Sequence, residues 1–314
     1  MRYFVTGGAG FIGSHLVDRL IALGHSVVAY DNLSNGTEKF VQHHLSNPSF
    51  TLIKADLLDF NVLKEAMKDC EIVFHLAANS DIPKGAKNTR MDLEQGTLAT
   101  YNVLESMRQT GTKKILFSSS NVVYGEAKKM PTTEDYGPLI PISLYAAGKL
   151  AAEALITAFS HNFDFECWIY RFGNIVGPRA THGILYDFYN KLKLNICELE
   201  VLGDGNQSKP YLEVNDCIDA LLFGVAHGKE QVNIFNLGTE GATSVNTIIK
   251  IVLEGLDLND VRVCYTGGKR GWPGDIHTVR LDSSKIISLG WQPKYSSNEA
   301  LRTAFKAMLL EFNG

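Results

Sequence analysis

The chain has 314 residues, 45% hydrophobic and 20% charged, with 34 acidic against 30 basic side chains and a formal net charge of −4. Such a length buries a core without help from disulfides or metal and suggests two domains of about 150 residues, while the near-balance of charge argues against a nucleic-acid binder built on a basic surface. No apolar run approaches the ~20 residues of a membrane helix, and the N-terminus turns to glycine too early for a signal peptide, so a cytoplasmic protein with no membrane partner is expected.

Arg2–Thr6 is a predicted strand, Phe11–Leu23 a helix and Ser26–Tyr30 a second strand. Thr51–Lys54, Ile72–His75 and Lys114–Phe117 are further apolar strand runs, with helical patterns at Val62–Lys68 and Leu93–Arg108 between them. The alternation predicts an α/β fold, a doubly wound parallel sheet with helices on both faces. A helix from Tyr145 to about Phe159 and a strand at Phe165–Arg171 follow. Beyond Arg171 the pattern is broken by Gly173, Gly177, Pro178 and Gly183, and Gly203-Asp204-Gly205-Asn206 predicts a turn. Val214–Val225 reads as a helix, Val232–Leu237 as a strand, and Ser244–Leu253 and Ser296–Leu310 as amphipathic helices.

The five cysteines are scattered, odd in number and without a CxxC pair, so they read as reduced thiols. His43-His44 is the only close histidine pair, in a polar loop, and no metal site is expected.

Thr6-Gly7-Gly8-Ala9-Gly10-Phe11-Ile12-Gly13 follows a predicted strand and opens a predicted helix. Glycines in this setting let the chain turn sharply and let a pyrophosphate approach the backbone, where the helix N-terminus offers free N–H groups. Asp31 ends the second strand, 18 residues after Gly13. A carboxylate there accepts from ribose hydroxyls and repels a 2′-phosphate, which favours NAD over NADP. Asp56 ends the third strand and is a candidate partner for the adenine amine, or else a helix N-cap. A Rossmann domain is therefore expected over residues 1–172, joined by part of 210–240. A smaller α/β substrate-binding domain is expected over 173–314, with the cleft beyond the C-terminal strand ends.

Tyr145 and Lys149 form Tyr-x-x-x-Lys and share a helix face. An ammonium beside a phenol favours the phenolate, typically lowering its pKa by ~1–3 units, and an oxidised nicotinamide adds a second positive charge, which together yield a base usable near neutral pH. The serines of Ser118-Ser119-Ser120 follow the fifth predicted strand and offer a hydroxyl to relay the proton.

In the glycine motif, Asp31-Asn32-Leu33-Ser34-Asn35-Gly36, His75-Leu76-Ala77-Ala78, Ser118–Gly125, Tyr145–Lys149, Arg171-Phe172-Gly173-Asn174 and Gly203-Asp204-Gly205, the chain resembles an extended short-chain dehydrogenase/reductase of the sugar-nucleotide epimerase/dehydratase group. The resemblance implies a catalytic set of Ser120, Tyr145 and Lys149. It implies NAD held by Gly7, Gly10, Phe11, Ile12 and Gly13, by Asp31, Asn32, Asn35 and Gly36, by Asp56 and Leu57, by Leu76, Ala77 and Ala78, and by Tyr145 and Lys149. Ser120, Asn121, Tyr145 and Asn174 are implied to contact a nucleotide-sugar substrate, with Lys209 and Arg270 as candidates for its diphosphate and Val279 for the sugar pocket. A homodimer is also implied.

Dehydratases of this group carry an acid and base in a Thr-Asp-Glu segment, and decarboxylases a Glu at its third position. Here the segment is Ser120-Asn121-Val122, which has neither. What remains is 4-epimerisation, of the UDP-glucose/UDP-galactose type first, with UDP-N-acetylhexosamine or UDP-glucuronate epimerisation and a dehydratase or decarboxylase as alternatives. A non-catalytic dinucleotide sensor is the reading from a different class; such proteins typically lose the Tyr/Lys pair. Leu93 stands where the group often has Asn, Lys209 where it has Arg, and Trp272 where Arg is expected.

Overall fold

The computed structural model describes residues 1–79, 81–272 and 274–313. In chain order the first half runs β1 (Arg2–Thr6), α1 (Phe11–Ala22), β2 (Ser26–Asp31), β3 (Phe50–Lys54), α2 (Phe60–Ala66), β4 (Ile72–His75), α3 (Ile82–Lys87), α4 (Thr89–Asp92), α5 (Ala99–Thr110), β5 (Lys114–Ser120), α6 (Leu144–Phe163) and β6 (Glu166–Phe172). The second half runs β7 (Asn174–Val176), α7 (Ile184–Leu194), β8 (Glu198–Val201), β9 (Ser208–Lys209), β10 (Tyr211–Glu213), α8 (Val214–His227), β11 (Val232–Leu237), β12 (Thr243–Ser244), α9 (Val245–Gly255), β13 (Arg262–Tyr265), α10 (Ser284–Ser288) and α11 (Ser297–Asn313).

Seven strands form one sheet in the order β11-β6-β5-β4-β1-β2-β3, all paired parallel. Order reverses beside β1, the signature of a doubly wound Rossmann sheet. Successive residues of a strand point to opposite faces, and both faces here are apolar. Tyr3, Val5, Val27, Ala29, Leu116 and Trp168 pack with Leu16, Val17 and Leu20 of α1 and Leu221 of α8. Phe4, Val28, Val73, Ile115, Phe117 and Ile169 pack with Val103, Leu104 and Met107 of α5 and Ile156 of α6. Burial on two faces is why these strands read as unbroken apolar runs.

A third core joins Leu185, Phe188 and Leu192 of α7, Leu199 and Val201 of β8, Ile248 and Val252 of α9, and Leu301, Ala304 and Phe305 of α11. The segment after Arg171, expected to be loose, thus holds a regular helix and the β8–β13 parallel pair. Their partners lie 64 residues apart (Arg262 opposite Glu198), a distance no local pattern reports. The expected helix at Leu93–Arg108 is also divided, into a π-helical turn at Leu93–Leu98, which continues from α4, and α5. β5 runs on through Ser120, so the serines lie on the strand end rather than after it. Among the described residues, no helix is long and apolar enough to cross a membrane.

Candidate active site

A cleft of about 1100 Å³ lies along the C-terminal ends of the sheet strands. Its lining brings together Gly7, Gly10–Gly13, Asp31, Asn32, Asn35, Gly36, Leu57, Leu76–Ala78, Ser120, Asn121, Tyr145, Lys149, Asn174, Lys209 and Val279, segments distant in the chain.

The turn from β1 into α1 has Gly10 as its N-cap, with no side chain capping the helix and no acidic residue in its first turn. Its first N–H groups therefore stay available to an anion. Gly7 has φ +68°, and a Cβ on Gly13 would stand 2.0 Å from the Gly7 carbonyl oxygen, so no larger side chain fits beneath the turn. The Asp31 carboxylate faces this turn, Oδ2 accepting from Ala9 N (3.0 Å) and Oδ1 from Leu33 N (2.8 Å). Each oxygen keeps a lone pair for a ribose hydroxyl. These residues fit a dinucleotide: a glycine-lined helix end for its pyrophosphate and an acid for its ribose.

Thr6 ends β1 and His75 ends β4, side by side in register. The Thr6 hydroxyl accepts from the N–H groups of Leu76 and Ala77, at 3.1 and 3.2 Å, so its proton goes to His75 Nδ1 at 2.8 Å. His75 Nε2 then donates to Thr100 Oγ1 (3.0 Å), which donates to the Gly96 carbonyl (2.6 Å). This chain requires a neutral ring, and burial, followed by the Lys149 charge, brings the His75 pKa down to about 3. Sequence reading placed His75 in a family segment but found no role for it. Its role is to tie the Leu76–Ala78 wall of the cleft to the π-helical turn.

That turn packs on α6 at two glycines. A Cβ on Gly148 would lie 2.9 Å from the Asp92 carbonyl oxygen, so the glycine of Tyr145-Ala146-Ala147-Gly148-Lys149 permits the close approach that seats Tyr145 and Lys149. Ser143 caps α6, accepting from Ala146 N at 3.1 Å. Lys149 is buried, donates from Nζ to the Ser118 carbonyl at 2.5 Å, and lies 4.7 Å from the Phe117 ring centre and 5.8 Å from that of Tyr145.

The protein environment alone does not lower the phenol pKa. Burial pushes Tyr145 up to about 12, assisted by the Asp92 charge and opposed by a hydrogen bond with Ser120. Burial brings Lys149 down to about 7, opposed by Glu153. Loss of hydration dominates both shifts, and Lys149 is directed at the Ser118 carbonyl rather than at the phenolic oxygen.

Two predicted residues are not brought into the cleft lining. Arg270 pairs with exposed Glu126 at the surface. Asp56 takes Leu58 N on Oδ1 (2.9 Å) and Asn32 Nδ2 on Oδ2 (2.8 Å), closing its own turn. Lys209 does reach the cleft but is held by buried Asp275 at 2.6 Å, over the Trp272 ring. Asn121 donates to the Phe172 carbonyl at 2.7 Å, a structural engagement. The opposite wall, with Thr181, His182, Asp187 and Lys191 around α7, was missed. Its polar residues carry no motif, and only the fold turns them inward.

The family model described as "NAD dependent epimerase/dehydratase family" matches residues 3–238. A putative UDP-glucose 4-epimerase of Methanocaldococcus jannaschii is 33% identical over 95% of both chains. A crystal structure of UDP-galactose 4-epimerase is similar with TM-score 0.89 and 37% identity over 99% of both chains. The UDP-glucuronic acid 4-epimerase of Bacillus cereus, solved with UDP-glucuronic acid and NAD, superposes with TM-score 0.89 at 26% identity, covering 99% of this chain and 100% of its own.

Proposed function

Because this chain belongs to the NAD-dependent epimerase/dehydratase family, we propose that it is a nucleotide-sugar 4-epimerase that interconverts UDP-glucose and UDP-galactose. The observation that carries this reading is the convergence of Ser120, Tyr145 and Lys149 in one cleft beside the glycine turn. No carboxylic acid stands at Asn121 or Val122. Asn121, moreover, is spent on the Phe172 carbonyl.

When bound, NAD supplies the hydride acceptor for sugar C4, the donor that returns the hydride to the other face of the resulting 4-ketone, and a positive charge beside the phenol. Tyr145 takes the C4 hydroxyl proton, directly or through Ser120, and gives it back at the end. Lys149 holds the cofactor's ribose and supports the phenolate. Asn174 and Lys209 hold the diphosphate while the sugar turns, which keeps binding energy away from the reacting carbon; Lys209 exchanges Asp275 for phosphate. Residues 1–172 with part of 210–240 form the cofactor half in this reading, and the remainder of 173–314 grips the substrate.

The protein acts as a homodimer in this proposal. The outward face of α6 carries Ala147, Ala151, Ala154 and Ala158, and Leu98 and Tyr101 beside it are exposed. A surface this long without charge favours a partner, and a second copy satisfies it. Five free cysteines support a reducing, cytoplasmic location.

Incubation of the protein with UDP-galactose and NAD is expected to yield UDP-glucose. Formation of a 4-keto-6-deoxy sugar or a pentose instead overturns the assignment. UDP-glucuronate and UDP-N-acetylglucosamine, assayed in parallel, identify the preferred sugar.

A further inference from the structure

Outside the cleft, the fold assembles a group that sequence spacing did not connect. Asp18 lies on the third turn of α1, and His43 and His44 lie on a single 3₁₀ turn (Gln42–His44) between β2 and β3. Both Nε2 atoms point at one oxygen: Asp18 Oδ1 is 2.9 Å from His43 and 2.7 Å from His44. The three candidate ligand atoms lie within 4.8 Å of one another. The two rings are 4.1 Å apart at their centres, and His44 is held in turn against Phe50 at 5.6 Å.

We propose that Asp18, His43 and His44 form a binding site for a divalent transition-metal ion of the zinc, nickel or copper class. Metal–nitrogen and metal–oxygen bonds of about 2.0–2.2 Å place N and O about 2.9 Å apart at the right angle of a square or octahedral site and about 3.4 Å apart at a tetrahedral zinc. The two nitrogen–oxygen separations match the first edge and need to open by roughly 0.5–0.7 Å for the second. Imidazole ligands select these metals over magnesium and calcium, which prefer all-oxygen shells. Access is open, since the His43 side chain is 49% exposed and Asp18 30%. Three ligands on one side leave the remaining positions to water.

The other carboxylate oxygen of Asp18 is 2.8 Å from Arg179 Nη1. Arg179 is thus an ion-pair neighbour of the carboxylate, and its charge moderates affinity. Arg179 itself sits at φ +63°, and its backbone N–H donates to Glu311 Oε2 at 2.6 Å. It directly precedes the Ala180–Leu185 wall of the cleft. The site therefore clasps the β2–β3 connection to the cofactor-side helix, next to the segment that leads into the cleft, without contributing a group to the cleft lining.

The test is zinc titration of the NAD-loaded full chain by calorimetry, repeated on His43→Ala and on a His43→Ala/His44→Ala variant. One zinc per chain is expected for the wild type, with an excess of magnesium failing to compete. Loss of one imidazole is expected to weaken binding by at least roughly tenfold, and loss of both to abolish it. Copper(II) loaded in place of zinc is expected to show nitrogen hyperfine splitting from two imidazoles in its electron paramagnetic resonance spectrum. His43→Ala removes an exposed side chain and keeps a folded reference if the double variant does not fold. Absence of stoichiometric zinc binding, or binding unchanged in His43→Ala, overturns the proposal.

Discussion

Thr6 and His75, 69 residues apart, are joined by a buried hydrogen bond of 2.8 Å whose direction follows from the two backbone N–H groups the threonine already accepts. The ring is consequently neutral in the folded protein, with its pKa near 3 against an ordinary 6.5. Unfolded chains take up a proton as pH falls through about 6.5, and the folded protein does not. The contribution of His75 is therefore fully present above pH 6.5 and is lost progressively between there and pH 3. Denaturation midpoints compared between wild type and His75→Gln across that window are expected to converge as the pH falls, by at most about 1.4 kcal/mol per pH unit. Parallel pH curves remove His75 from this role.

Lys149 has the same sign in a higher window. Its folded pKa is about 7 against 10.5, because burial penalises the ammonium. Protonation of the buried amine costs stability, a cost present in full below pH 7 and relieved as pH rises toward 10.5. Nucleotide-free Lys149→Met is expected to gain urea resistance relative to wild type below pH 7, with the gain shrinking at alkaline pH. It should nonetheless be inactive.

Tyr145→Phe removes the proton acceptor and leaves the ring packing. Turnover is expected to fall by roughly 10²–10⁴-fold while bound-nucleotide fluorescence stays at the wild-type level. A rate within a factor of a few of wild type would remove Tyr145 from proton transfer.

Glu153 of α6 and Arg171 of β6 form a buried ion pair at 2.8 Å, with Ser119 also donating to Glu153 and Arg171 donating to Tyr124 (3.0 Å). Glu153→Ala leaves a buried guanidinium without its partner, and breaking such a pair costs about 3–5 kcal/mol. Chemical denaturation should register a loss of that size; a change below about 1 kcal/mol would mean that water or other groups replace the carboxylate.

Ala154 stands on the uncharged outward face of α6. Ala154→Arg is expected to convert the dimer to a monomer by sedimentation analysis, with the helical signal in circular dichroism retained. A wild-type protein that sediments as a monomer at micromolar concentration contradicts the proposed dimer outright.

The Rossmann sheet and its glycine turn were legible because their determinants are short and contiguous. The glycine turn needs residues a few positions apart, Asp31 follows at the end of the next strand, and apolar runs in a sheet buried on both faces announce themselves. Tyr145 and Lys149 share a helix face by periodicity alone. Tertiary structure decided what depends on distant neighbours. It paired Arg270 with Glu126 and Lys209 with Asp275, turned α7 toward the cleft, and set Asp18 against His43 and His44. It also set the burial that raises the Tyr145 phenol, since a motif identifies which groups are adjacent in the chain but not how much water they lose on folding. Local covalent spacing thus determined the glycine turn and the Tyr145/Lys149 pair, whereas desolvation and long-range charge pairing, which exist only after folding, determined their ionisation and the shape of the cleft wall around α7.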